Sequence, residues 1–366
     1  MNQENIFAII VIGLLLGVAG IAISASDCLK EFANVDAKDA AQILIDGYNV
    51  GDYDYKKTSE RYIHFYFIEN MKYQYDIAVF GSSRVLKIHN LHFPGMNLVN
   101  HGVGGGSIHD IIFCKEIYSK REKPPTFPNV AIIGPDRWTI FDGGSSQEQG
   151  GIKIIEKGGS FLNEKMDNIR LIMRESNLRI LLGMNATHHA TTERKGPARL
   201  IDGQIYANDV ETRETRVVDE VVPTLELHHI PSISADSVQT FENYVHSLIE
   251  INVTPIFFCT PYHPIIYARH QSEKEDNPTV TSLEDLEAYV RDFAHQNEIL
   301  VIGSYNPHTY NLTSADFYDD VHPRPQAISK IIIAHSHELY DLLYKDIYPT
   351  YEEYINAFAE RQSELY

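Results

Sequence analysis

The chain has 366 residues, of which 43% are hydrophobic and 22% charged, a composition typical of a folded protein that buries a sizeable core. Its formal net charge of −19 argues against a nucleic-acid-binding surface, because polyanions would be repelled. The three cysteines fit no disulfide framework and no zinc or redox motif, so Cys114 and Cys259, in apolar runs, are predicted to be buried thiols.

Near the N-terminus, residues 6–25 carry no charge. A helix of this length spans about 30 Å of hydrocarbon, so residues 1–26 are predicted to be a membrane anchor. A cleaved signal peptide is the alternative, although no basic segment precedes the run and Ala22-Ile23-Ser24 is a poor cleavage site. Lys30 and Lys38 follow the run, which weakly favours a cytoplasmic C-terminal domain.

After a helix-prone connector at 27–70, residues 77–80 form the first strong strand signal. They are apolar on both faces, as in a strand buried in a parallel sheet. The run ends in Gly81-Ser82-Ser83, where small residues allow a sharp turn that exposes a hydroxyl. Ligands bind at the carboxyl edge of open α/β sheets, so Ser83 is a candidate nucleophile.

Strands and helices continue to alternate along the chain. Further strands are predicted at 96–99, 130–133, 254–259 and 299–302, and helices at 108–119, 162–176, 236–250, 283–296 and 326–343. The alternation predicts a parallel sheet with helices on both faces and the strand tips along one edge. Residues 185–233 are irregular and are predicted to be a lid inserted in the main domain, 71–345. An amphipathic, acidic tail follows at 346–366.

Four short motifs lie at or near these strand tips in a fixed order. They are Gly81-Ser82-Ser83, Asn100 followed five residues later by Gly105, Gly134-Pro135-Asp136-Arg137, and Asp319 followed three residues later by His322. This order resembles the four blocks of the SGNH (GDSL-type) hydrolase superfamily of serine esterases and acyltransferases, and it covers residues 76–343. The resemblance implies a three-layer α/β/α, flavodoxin-like SGNH fold, here behind one N-terminal transmembrane helix.

The resemblance also implies roles for individual residues. Ser83 would be the nucleophile, His322 the general base and then acid, and Asp319 the carboxylate that orients His322. The amides of Ser83 and Gly105 would form the oxyanion hole, with a side chain of the third block, here Asp136. The physical reasoning agrees, because a serine hydroxyl is a poor nucleophile until an oriented histidine takes its proton.

The third block departs from the family, which usually has asparagine where this chain has Asp136. An ionised carboxylate would repel an oxyanion. Asp136 is therefore protonated, or turned away and paired with Arg84 or Arg137, or part of a block that has lost its catalytic role. Arg84, Arg137, Asn100 and His263 are further predicted to contact substrate, with structural packing as the alternative for His263.

The variant Gly-Ser-Ser-Arg at 81–84 resembles the branch of this family associated with lipoteichoic-acid D-alanylation and polysaccharide O-acetylation. Proteins of that branch are typically anchored by one N-terminal helix with the domain outside the cytoplasm, which outweighs the argument from the two lysines. The implied function is an esterase or O-acyltransferase acting on an acylated glycan, without metal or cofactor, beside a membrane-bound acyltransferase. A non-catalytic partner of such a system is the alternative. A plain anchored scaffold, the third reading, predicts that Ser83 and His322 lie far apart.

Overall fold

The computed structural model describes residues 35–47, 60–121, 126–140, 198–199, 205–206, 235–276 and 281–363. The predicted membrane anchor, the helix predicted at 162–176 and most of the predicted lid lie outside these ranges. Within them, no helix is both long enough and apolar enough to cross a bilayer.

Five parallel strands form the central sheet. They are β1 (Ile77–Phe80), β2 (Leu98–Asn100), β3 (Val130–Ile133), β6 (Thr254–Cys259) and β7 (Leu300–Gly303), in the order β2-β1-β3-β6-β7. Two further strands, β4 (Ala198–Arg199) and β5 (Ile205–Tyr206), pair antiparallel within the predicted lid. Because the five strands run in one direction, their carboxyl ends meet along one edge, which is where the site lies.

Helices connect and cover these strands. They are α1 (Val35–Ile45), α2 (Glu60–Asn70), α3 (Ile108–Ser119), α4 (Arg137–Ile140), α5 (Ala235–Ile249), α6 (Pro264–Asp276), α7 (Leu283–Gln296), α8 (Pro325–Ala334), α9 (Ser336–Leu339) and α10 (Tyr351–Ser363). Short 3-10 turns at Ser83–Val85 and Asn90–His92 follow β1.

Alternate residues of each strand enter two apolar cores, one on each face of the sheet. Phe80 and Phe257 pack with α1 to α7 on one face. Val79 and Phe258 pack with α8, α9 and α10 on the other. Burial on both faces explains why the strands read as unbroken apolar runs rather than as alternating ones.

The predicted parallel α/β sheet is confirmed, and several elements have the predicted bounds, among them β3, β6, α3 and α7. The helix predicted at 326–343 is wrong in one respect. It is interrupted at His335, whose ring lies 2.8 Å from the Tyr310 hydroxyl. The helix α6 was not predicted, because its apolar residues are confined to its first turns. Cys114 and Cys259 are free and buried, as predicted.

Candidate active site

The chain turns sharply where β1 ends, in a segment that we call the serine turn (residues 81–85). Gly81 has φ +152°, a backbone conformation that a side chain disfavours. Ser82 is 1% exposed and Arg84 0%, whereas Ser83 between them is partly exposed. The turn therefore buries both flanking side chains and presents one hydroxyl at the edge of the sheet.

The Ser83 hydroxyl meets a histidine and a carboxylate from the other end of the domain. Ser83 Oγ lies 2.8 Å from His322 Nε2, and His322 Nδ1 lies 2.8 Å and 2.9 Å from the two carboxylate oxygens of Asp319. A carboxylate can only accept, so Nδ1 carries the hydrogen and Nε2 faces Ser83 as an acceptor. The reading of the chain as a plain scaffold predicted that Ser83 and His322 lie far apart, and the distance of 2.8 Å contradicts it.

The loop that carries Asp319 and His322 is held by hydrogen bonds to the Asp319 carboxylate. Its Oδ1 accepts hydrogen bonds from the backbone N–H groups of Val321 at 3.0 Å and His322 at 2.9 Å. Partial removal from water raises the pKa of Asp319, but the hydrogen bond and charge of His322, with these two backbone donors, outweigh it and lower the pKa to about 2. Burial and the charge of Asp319 raise the pKa of the neighbouring Asp320. Asp319 is thus ionised at neutral pH and can stabilise a positive charge on His322.

The segment after β2, which we call the glycine loop (residues 102–107), packs against the serine turn. The Val103 N–H donates to Gly81 O at 3.2 Å, and a Cβ placed on Gly106 would lie 2.5 Å from the same oxygen. Gly105 has φ +61°. Within the described ranges, no backbone oxygen accepts a hydrogen bond from the N–H of Gly105 or of Ser83. Among the described residues, both N–H groups thus lack a backbone partner, and the loop that carries Gly105 packs against the turn that carries Ser83.

The Asp136 carboxylate is buried and acts as an acceptor. Ser82 Oγ–H donates to its Oδ2, while the N–H and hydroxyl of Thr139 each donate to its Oδ1 at 3.1 Å. The Asp136 carboxylate is thus directed at Ser82 and Thr139. It fixes the first and third motifs to each other.

The Arg84 side chain does not follow that of Ser82 towards Asp136. It lies beneath the carboxyl end of β6. Its guanidinium carbon lies 3.4 Å from the centre of the Tyr262 ring, and its Nη2 donates to the Thr260 carbonyl. Nε and Nη1 are buried without a hydrogen-bond partner in the part of the chain that the structure describes. Arg84 is the largest fully buried side chain among the described residues, so it lies in the interior and not on an open surface.

The other predicted contacts with substrate also have structural partners. Asn100 is completely buried; its amide N–H groups donate to Val85 O and Ile88 O, both at 2.8 Å, and its side-chain oxygen accepts from Gly102 N–H. The expected contact of Asn100 with substrate is therefore replaced by a role in holding the turns.

His263 is 1% exposed and packs edge-on against Phe317, while its backbone N–H donates to Asp320 O at 3.2 Å. This is the packing alternative, and it joins the tip of β6 to the loop of the triad. Arg137 begins α4 and is partly exposed. Sequence reasoning missed Thr139, because nothing in the local pattern says which distant residue a buried polar side chain meets.

No protein-family model, no curated protein and no solved structure matches this chain. Its activity must therefore be inferred from the atoms of the site. A serine hydroxyl bonded to a histidine acceptor, a carboxylate behind that histidine and two backbone N–H donors are the groups needed to form and resolve an acyl-enzyme.

Proposed function

We propose that this protein is a serine-dependent ester hydrolase or O-acyltransferase of the SGNH type, which forms an acyl-enzyme on Ser83. The observation that carries the proposal is the hydrogen-bonded series from Ser83 Oγ through His322 to Asp319, with 2.8 Å at each step. The substrate class, acyl groups of a cell-envelope polysaccharide or a similar glycan, comes from the resemblance of residues 81–84 to that branch of the family.

The arrangement of the sheet supports the same proposal. The order β2-β1-β3-β6-β7 is the flavodoxin-like order, and helices pack on both faces, as expected for a three-layer SGNH fold. The apolar run at 6–25 would anchor this domain in the membrane with the site outside the cytoplasm. A membrane-bound acyltransferase is the partner that such a location suggests.

In the acylation step, Ser83 Oγ attacks the ester carbonyl carbon while His322 Nε2 takes the hydroxyl proton. Asp319 stabilises the resulting imidazolium through Nδ1–H. The carbonyl oxygen becomes an oxyanion, which the N–H groups of Ser83 and Gly105 stabilise by about 3 kcal/mol per donor. The C–O bond to the leaving group then breaks, and His322 returns the proton to the departing alcohol oxygen.

In the second step, His322 takes a proton from water or from a sugar hydroxyl, whose oxygen attacks the acyl carbon and releases Ser83. Water makes the protein an esterase and a sugar makes it a transferase. Because Asp136 is an acceptor of hydrogen bonds from Ser82 and Thr139, it does not donate to the oxyanion. The two backbone N–H groups are the donors that we assign to the oxyanion.

The test is fluorophosphonate labelling of the full-length chain in detergent, with mass spectrometry to locate the adduct. We expect an adduct on Ser83 that Ser83→Ala and His322→Ala abolish. Ser82→Ala is the matched control, since it removes the adjacent hydroxyl, which is bonded to Asp136 and buried. A folded wild-type chain that is not labelled would overturn the enzyme proposal and favour the non-catalytic partner, the reading to which Asp136 also points.

A second measurement separates the two activities. The chain is loaded with p-nitrophenyl acetate, and acetate release is compared with acetyl transfer to an added oligosaccharide. Acetyl-oligosaccharide at the expense of acetate identifies a transferase, whereas acetate release unchanged by the sugar identifies an esterase.

A further inference from the structure

The helix α2 precedes the sheet in the chain, yet its side chains hold the glycine loop by its backbone. Glu60 Oε2 accepts a hydrogen bond from the Gly104 N–H at 2.6 Å. One turn later, His64 Nε2 lies 3.3 Å from the Gly102 carbonyl oxygen. The loop is thus held from the same helix on both sides of Val103.

A third side chain of α2 fixes the far end of the loop. Arg61 forms a two-point ion pair with Asp110, at 2.6 Å and 2.9 Å. Asp110 in turn accepts a hydrogen bond from the Ser107 N–H at 2.9 Å and so caps the start of α3. Helix α2 therefore holds both the beginning and the end of the glycine loop.

His64 is itself oriented by a buried chain of hydrogen bonds. Its Nδ1 lies 3.1 Å from His101 Nδ1, and His101 Nε2 lies 2.8 Å from the Tyr118 hydroxyl. The Gly102 carbonyl can only accept, so His64 Nε2 carries a hydrogen. With neutral rings, His64 Nδ1 then accepts from His101 Nδ1–H, and His101 Nε2 accepts from the Tyr118 O–H. This single arrangement directs one hydrogen of His64 at the loop.

Such support matters because the loop has little stiffness of its own. Four of its six residues are glycines, whose backbones have the widest conformational freedom of any residue. Gly105, with φ +61°, lies directly after Gly104, which Glu60 holds, and three residues after Gly102, which His64 holds. An N–H that stabilises an oxyanion must be placed before the reaction, since a mobile donor would lose its advantage over water.

We propose that His64, assisted by Glu60, is a positioning residue that keeps the Gly105 N–H directed at the carbonyl oxygen of an ester on Ser83. The inference rests on the proposed function, because it assigns α2 to the same oxyanion hole. On this proposal, helix α2, in the connector that follows the predicted membrane anchor, contributes to the active site.

The test uses two amide substitutions of similar size. His64→Gln places an amide N–H where Nε2 stood and keeps the donor to Gly102. His64→Asn places its amide near the position of Nδ1, so it keeps the contact with His101 but cannot reach Gly102. Ile68→Val is the control, because Ile68 is a buried residue of the same helix, one turn after His64, and the substitution removes no hydrogen-bonding group.

Two readouts are taken on the full-length chain: hydrogen exchange of the peptide covering residues 101–107, and the rate constant for fluorophosphonate labelling of Ser83. For His64→Asn we expect exchange in the glycine loop to accelerate and labelling to slow by roughly tenfold or more, part of the 10²–10³ lost when an oxyanion donor is removed outright. His64→Gln and Ile68→Val should resemble the wild type in both.

The outcomes separate this inference from the function on which it rests. Wild-type labelling that His64→Asn leaves unchanged overturns the positioning role and leaves the enzyme proposal standing. Equal slowing by His64→Gln and His64→Asn also overturns it, because the donor to Gly102 would then be irrelevant. A wild-type chain without labelling overturns the enzyme proposal and, with it, the catalytic purpose assigned to α2.

Discussion

Replacing Asp319 with asparagine tests the proposed triad at the group that sets the proton of His322. Asp319 Oδ1 accepts two backbone N–H groups, so an asparagine keeps its oxygen there and turns its NH₂ towards His322 Nδ1, 2.8 Å from the present Oδ2. Nδ1 must then accept, which moves the ring hydrogen to Nε2, 2.8 Å from Ser83 Oγ. His322 would donate to the serine and could no longer take its proton.

The size of the effect follows from the same geometry. In a serine protease triad, this substitution lowers turnover by about 10⁴ through the wrong tautomer. The Asp319 side chain is 49% exposed, so water competes for the loop and relieves part of the constraint. We therefore expect fluorophosphonate labelling of Ser83 to slow by about 10²–10⁴ in Asp319→Asn. The melting temperature near neutral pH should also fall, because the ionised Asp319 carboxylate stabilises the folded chain there.

The assay is the second-order rate constant of labelling for the full-length chain at neutral pH. Asp320→Asn is the matched control, since it makes the same substitution at the adjacent residue, whereas the described hydrogen bonds of His322 Nδ1 go to Asp319. That control should label at nearly the wild-type rate. A wild-type rate in Asp319→Asn would refute the assignment of Asp319 as the residue that orients His322.

Three further results are expected. Asp136→Asn keeps hydrogen-bond partners for the buried hydroxyls around it, whereas Asp136→Ala removes them. Asp136→Ala should therefore lower the free energy of unfolding in urea by about 1–3 kcal/mol more than Asp136→Asn does, and equal losses in the two variants would contradict the acceptor role. Gly106→Ala places a methyl group 2.5 Å from a backbone carbonyl oxygen and should lower the free energy of unfolding by about 1–3 kcal/mol. Gly104→Ala should lower it far less, because the nearest atom to its methyl group would be 3.6 Å away. Thermal denaturation that ranks the two variants in reverse would disprove this packing. The pKa of Asp319 falls from 3.8 to about 2 on folding, so its stabilisation is present above pH 4 and is lost as pH falls towards 2. The wild-type melting temperature should therefore decline more steeply over that range than that of Asp319→Asn.

The strands could be predicted where burial on both faces leaves a continuous apolar run. Val130–Ile133 and Thr254–Cys259 are such runs, and both have the predicted bounds. β2 was predicted at 96–99 but spans Leu98–Asn100, and its end was missed by one residue because that residue, Asn100, is polar. That amide is tolerated in the core only because Val85 O and Ile88 O accept its hydrogens, a contact that hydrophobicity cannot reveal.

The site was predictable as far as the order of motifs reflects the order of strand tips. Ser83, Asp319 and His322 lie together for that reason, since each follows or flanks the carboxyl edge of the sheet. What Ser82 and Arg84 contact was not predictable. Those pairings depend on which way each side chain leaves a turn, and this is decided by residues far away in the chain, namely Asp136 and Tyr262.

The distance in sequence between Ser83 and His322 has a consequence for how the protein is made. The two residues are 239 positions apart, and β7 with the loop after it must dock before they meet. Contacts of such long range form late in folding. Under the proposed function, the serine is therefore an ordinary hydroxyl during synthesis, and its activation requires that β7 has joined the sheet. On that proposal, incomplete or misfolded chains carry no activated nucleophile and cannot attack esters.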